Sequence, residues 1–174
     1  ILGIGGGGLL VGGRSSLRPP EAFQQHALIV GCFGHANVGC RGPLVGLGPG
    51  FRPSGTDAVY RFHGPLAVPI ARGDALGHPN GIVAVADSVT FVTFGAAAVR
   101  RLPTTAAAGS GGSAPRTLAT PPGGQLDGIV APADGSLLVS SWELNAVLRL
   151  PAGGGPATVV ADSLPSPAGI GWDE

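Results

Sequence analysis

The sequence predicts an all-β chain: an incomplete β-propeller of about three four-stranded blades, preceded by an irregular Gly/Pro-rich segment. Three observations carry this expectation. One phrase is written twice, as "PNGIVAVADSVTFVTFGAAAVRRL" at residues 79–102 and "LDGIVAPADGSLLVSSWELNAVLRL" at residues 126–150. A third beginning, Ala168-Gly169-Ile170, stands 41 residues after Asp127-Gly128-Ile129. Within the unit, short apolar runs are bounded by turn residues and helical periodicity is absent. A 41–47-residue unit of four short antiparallel strands describes a propeller blade.

Residues 1–53 come first and show no copy of the phrase. They scatter Gly and Pro without alternation and carry one acidic residue, Glu21. Two readings stay open: a low-complexity segment, or GC-rich coding sequence in a shifted frame that resumes near Ser54. The domain division is therefore 1–53 and 54–174, with the repeat beginning near Thr56. The opening "ILGIGGGGLLVGG" is 13 residues long, too short to span a bilayer, and no basic stretch precedes it as in a signal peptide. With no Met in the chain, a fragment or a processed product is expected, and both cytoplasmic and exported locations remain open.

From Thr56 onward, "TDAVYRFHGPLAVPIARGDALGHPNGI" reads against "LNAVLRLPAGGGPATVVADSLPSPAGI", with Ala58-Val59 on Ala146-Val147 and Arg61 on Arg149. Asn80 pairs with Asp127, Gly81 with Gly128, Ile82 with Ile129 and Asp87 with Asp134. This constant offset of 47 extends to Val92 on Val139, and one inserted residue later Val99 meets Val147. Inside the second copy, "GIVAPA" is expected as a strand buried on both faces and Asp134-Gly135 as a two-residue hairpin. "SLLVSS", a turn through Glu143-Leu144-Asn145, the alternating "AVLRL" and finally "ATVVAD" complete the unit.

Composition excludes several functions. Charged residues are 11% of the chain, the formal net charge is zero, and all ten basic residues are Arg without a basic cluster, which argues against a nucleic-acid surface. Two cysteines give no disulfide framework. Gly3–Gly8 satisfies G-x-G-x-x-G, but no strand–helix unit surrounds it. Cys32, His35 and Cys40 lack the spacing of a zinc site. Serine-hydrolase, zincin and dithiol motifs do not occur.

Chemistry concentrates where each inner strand begins. In a propeller these strands run alike along the central channel, so their first residues reach one channel mouth. Asn80, Asp127 and Ala168 hold that position, each followed by a glycine that suits close backbone approach. An amide oxygen and a carboxylate are hard ligands suited to Ca²⁺, Mg²⁺ or Mn²⁺. Asp87 and Asp134 read as turn residues. Glu143 and Asn145 read as a solvated turn or as channel-mouth lining. Trp142 caps blade packing, and His78 reads as a loop histidine or as a neighbour of a bound ligand.

"PNGI", followed one blade later by "LDGIVAPADGSLLVSSWELNAVLRL", resembles the regucalcin/gluconolactonase family over about residues 56–174. The resemblance implies a six-bladed parent in which Asn80 and Asp127 ligate one divalent metal and Asp127 also acts in sugar-lactone hydrolysis. Leu126 replaces the family's usual Pro, and the family's Glu ligand from its first blade has no counterpart. The expected substrate is a lactone or another sugar-derived molecule. The expected partners exclude nucleic acid and membrane and include further copies of the chain, joined through open blade edges. The alternative is a non-catalytic NHL-like propeller that binds a protein or carbohydrate.

Overall fold

The computed structural model describes residues 2–4, 7–11, 28–30, 57–63, 66–85, 87–103, 114–152 and 155–173. Nearly all of its regular structure is strand, with one short 3₁₀ turn at Asp74–Leu76. In chain order the strands are β1 Leu2–Ile4, β2 Gly7–Val11, β3 Leu28–Val30, β4 Ala58–His63, β5 Leu66–Arg72, β6 Pro79–Val85 and β7 Ser88–Thr93. They continue as β8 Val99–Pro103, β9 Arg116–Ala119, β10 Leu126–Val130, β11 Leu137–Ser141, β12 Ala146–Leu150, β13 Thr158–Ala161 and β14 Ile170–Asp173.

The two written copies become two four-stranded antiparallel sheets, β6-β7-β8-β9 and β10-β11-β12-β13. The other two sheets have three strands each among the described residues, β3-β4-β5 and β1-β2-β14. Together they form an incomplete β-propeller. Three strands thus fall within residues 1–53: β3 joins β4, and β2 pairs with β14 from Ile170↔Val11 to Asp173↔Gly8. The expected raw strand edge at the C-terminal end is therefore occupied at β14. The Cys32, His35 and Cys40 spacing lies outside the described residues.

Register corrects the sequence alignment in one place. Val92 pairs with Val99 across β7–β8, whereas Ser140 pairs with Val147 across β11–β12. Val92 therefore corresponds to Ser140, and Phe91 to Val139. The inserted residue lies in the first hairpin, not after it. β6–β7 pairs down to Val85↔Ser88, but β10–β11 stops at Val130↔Leu138. The expected two-residue Asp134-Gly135 hairpin is instead a wider loop. In it the Gly135 N–H donates to the Pro132 carbonyl (3.0 Å), and Asp134 Oδ1 accepts the Ser136 N–H (2.9 Å).

Consecutive sheets share apolar layers, which explains why the second strand of each unit is buried along nearly its whole length. Val89 and Phe91 of β7 pack with Val59, Ile70, Leu76 and Leu102 toward the preceding sheet. Val92 points the other way and joins Val99, Leu126, Ile129, Val139 and Leu148. Leu138 and Val147 repeat the pattern one sheet later, against Val160, Leu164 and Ile170. The period of two sends alternate side chains into two layers. Leu126, with no exposed surface, lies in the layer between the two complete sheets. Leu126→Ala is expected to cost about 2–5 kcal/mol of unfolding free energy, read from the urea midpoint, because it opens a cavity there.

Candidate metal centre

Asn80 and Asp127 sit in equivalent β-bulges. Between the pairs Pro79↔Thr93 and Ile82↔Phe91, Asn80 and Gly81 oppose the single residue Val92. Between Leu126↔Ser141 and Ile129↔Val139, Asp127 and Gly128 oppose Ser140. A bulge re-aims one side chain out of the strand's alternation, so both sheets turn the same position in the same way.

The inner strands then approach backbone to backbone. A Cβ at Gly81 would lie 2.2 Å from the Asp127 carbonyl oxygen and 3.0 Å from Gly128 Cα. A Cβ at Gly128 would lie 2.7 Å from the Ala168 carbonyl oxygen and 2.8 Å from Ile170 N. At Gly169, the third member of the series, such an atom would meet nothing within 4 Å. Ser140 fastens the second junction: its Oγ accepts the Gly128 N–H (2.7 Å) and donates to the Ala168 carbonyl (2.7 Å).

This packing brings the two candidate ligands together. The Asn80 side chain hydrogen-bonds to the Asp127 carboxylate, which lies partly buried between the sheets. Burial raises the Asp127 pKa above the usual carboxylate value, and the bond from Asn80 opposes that rise in part. Ala168, at the third equivalent position, offers no side-chain oxygen. Among the described residues no group of three or more His, Cys, Asp and Glu gathers to hold a metal. A partly desolvated carboxylate that accepts from a carboxamide N–H, beside that same carboxamide's oxygen, fits a hard divalent cation that keeps several waters.

The turns at this end are held by side chains, several of them expected as solvated turn or loop residues. The Glu143 carboxylate accepts the Gly124 N–H, three residues before Asp127. Asn145 Oδ1 accepts the Ser166 N–H (3.1 Å). His78 donates its N–H to Asp57 Oδ2 (2.7 Å), and its Nδ1 lies 3.3 Å from Asp57 Oδ1. Phe94 and Trp142, each just after the second strand of a complete sheet, meet edge to face with centroids 5.2 Å apart. Asp134 works elsewhere, within the first hairpin of its sheet, where it also pairs with Arg149. A signal for Asp57 was present in the repeat, since it aligns with Asn145 just before the Ala-Val pair.

No family profile matches the chain, and no curated protein matches it. Solved structures do. A regucalcin described as a calcium-binding protein, from Agrobacterium tumefaciens, superposes with a TM-score of 0.51 at 20% identity, over 66% of this chain and 40% of that one. The crystal structure of a nidogen/laminin complex superposes with a TM-score of 0.50 at 16% identity, over 64% and 43% respectively. The chain thus spans less than half the length of either. The likeness is one of fold.

The contrast among the glycines is directly testable. Gly81→Ala is expected to destabilise the protein by about 1–3 kcal/mol or more, because backbone cannot yield to the added methyl as a side chain tip could. Gly169→Ala should leave the denaturation midpoint almost unchanged.

Asp127 gives a second test. Its raised pKa means the folded protein binds that proton more tightly than the unfolded chain. Stability should therefore fall as pH rises from 3.8 through the raised value, then level off. Urea denaturation across the acid range should show this slope in the wild type and a loss of it in Asp127→Asn.

Proposed function

We propose that this chain carries the metal-holding part of a propeller hydrolase that opens lactones or related cyclic esters. One observation carries the reading: equivalent bulges of two adjacent inner strands turn a carboxamide and a partly buried carboxylate onto each other. The regucalcin-like fold supports it, and that neighbour is described as calcium-binding. Asn80 and Asp127 would hold the cation. When bound, a divalent ion there supplies Lewis acidity toward a carbonyl oxygen.

The remaining chemistry belongs to the chain's own residues. Asp127, whose proton affinity is raised by burial, accepts a proton from the water that attacks the lactone carbonyl carbon. The ring C–O bond breaks, and the proton passes to the released alkoxide, giving a hydroxy acid. Asn80 orients the carboxylate through its hydrogen bond.

A second reading has its own support. The third position of the series is Ala168, and propellers also serve as platforms, as the neighbour solved in a nidogen/laminin complex illustrates. In that case the channel mouth and its turns, including the exposed Leu144, would contact a protein or carbohydrate. Self-association would use the outer strand β13, where Val159 is 56% exposed. Among the described residues no helix is long and apolar enough to cross a membrane.

Thermal melting during titration with Ca²⁺ or Mn²⁺ separates the readings. At a hundredfold excess over Kd, metal binding should raise the melting midpoint by about 5–10 °C. The shift should vanish in Asp127→Ala. A wild-type midpoint that ignores millimolar metal would leave the platform reading standing.

A further inference from the structure

We infer that Asp57 is a positioning residue for Asn80: from the sheet before, it clamps the left-handed turn at His78 that sets where Asn80 projects. The inference rests on the metal-holding reading of Asn80 and Asp127.

The turn recurs at one step of the repeat. His78 (φ 57°), Gln125 (φ 52°) and Ser166 (φ 44°) each stand two residues before Asn80, Asp127 and Ala168, and each has positive φ. Residues with a β-carbon avoid this conformation unless their surroundings hold them in it. At His78 both backbone polar groups are held: the N–H by Asp57 Oδ2 at 2.7 Å, and the carbonyl by the Phe94 N–H at 2.8 Å. Pro79 follows immediately and pairs with Thr93, so the direction fixed at His78 passes straight into the bulge that carries Asn80.

The same device operates two steps along the chain with an uncharged acceptor. Asn145 Oδ1 takes the Ser166 N–H, and Asn145 stands 21 residues before Ser166 just as Asp57 stands 21 before His78. The site between them differs. Its equivalent residue is Ala97, which has no acceptor. The loop before Asp127 is held from within its own sheet instead: Glu143 takes the Gly124 N–H, Ser141 Oγ donates to the Gly124 carbonyl (2.9 Å), and Trp142 N–H donates to Gln125 O (3.1 Å). The two candidate ligands are therefore set by independent supports, Asn80 by Asp57 and Asp127 by its own sheet.

His78 completes the clamp at the other carboxylate oxygen. Its Nδ1 lies 3.3 Å from Asp57 Oδ1, and the two side chains are 9% and 11% exposed. The ring lies against Gly95, where an added Cβ would sit 2.4 Å from His78 Cδ2. The next sheet carries Glu143 at the position of Gly95, and there the residue equivalent to His78 is Gln125. Each sheet thus fills this corner once, with an imidazole in one and a carboxylate in the other.

Isothermal titration of the full chain with Mn²⁺ tests the inference, comparing wild type with Asp57→Ala, Asp57→Asn and Asp57→Glu. The titrations run well below each variant's melting midpoint, so that lost stability does not mimic lost affinity. Residues that orient metal ligands typically change affinity by about 10–100-fold when removed. Asp57→Ala should weaken Mn²⁺ binding by about tenfold. Asp57→Asn should restore most of it, because Asn145 performs the same task for Ser166. Asp57→Glu keeps the charge but displaces the acceptor, and should behave like Asp57→Ala. Should Asp57→Ala fail to fold, the Asn and Glu variants still decide the matter. Amide exchange at His78 should be slow in wild type and Asp57→Asn, and fast in the other two.

Equal affinity in wild type and Asp57→Glu, with His78 exchange accelerated in the latter, overturns the positioning role alone. A wild type that takes up no Mn²⁺ overturns the metal reading, and this inference falls with it.

Discussion

Backbone-to-backbone contact between neighbouring inner strands is the constraint on which the site depends. Gly81 lets β6 come against the Asp127 carbonyl, and Gly128 lets β10 come against the segment leading into β14. Side chains elsewhere hold the sheets together through apolar layers, but those layers do not bring two strand starts into register. Close approach at the glycines does. It places the residue before each glycine beside its counterpart in the next sheet, and so makes an Asn80–Asp127 hydrogen bond available.

The site is a by-product of repetition with small departures. Both complete sheets carry the bulge, the left-handed residue two positions ahead of it, and an aromatic residue after the second strand. What differs is chemically decisive. Ser140 ties Gly128 to Ala168, whereas its counterpart Val92 contributes only apolar surface to the layer between the sheets. Asp57 and Asn145 clamp the turns they face, and Ala97 leaves that task to Glu143. A strictly repeated unit would give identical supports around the axis. These departures support one carboxamide and one carboxylate separately.

Electrostatics follow from the same packing. A carboxylate drawn between two sheets loses hydration, and its charged form becomes more costly than in water. One amide donor compensates in part. Such a group binds a proton more readily than a surface aspartate does. Asp134, whose repeat partner is Asp87, shows the opposite outcome: its pKa is lowered by bonds to Ser136 and the nearby Arg149, and it serves its own hairpin. Two aspartates of one blade thus diverge because one lies between sheets and the other in solvent.

Much of this was legible in the sequence. Strand composition, turn residues and the repeated phrase determined an all-β chain of stacked four-stranded units, because the period of two and the turn chemistry are local properties. The repeat also marked residues 80, 127 and 168 as equivalent, and the glycine after each as a point of close approach, which holds at Gly81 and Gly128 but not at Gly169. It misplaced the inserted residue, since Val92 and Val139 match as letters while only hydrogen-bond register shows Val92 facing the Ser140 position. The pairing of β2 with β14 was invisible, because residues far apart in sequence meet there and β2 carries no part of the repeated phrase. For Asp57 the repeat offered only its alignment with Asn145; that its bond to His78 crosses from one sheet to the next is seen in the structure alone. Sequence determines what each strand can do alone; which strand ends meet, and how dry the space between them is, depends on how the sheets stack.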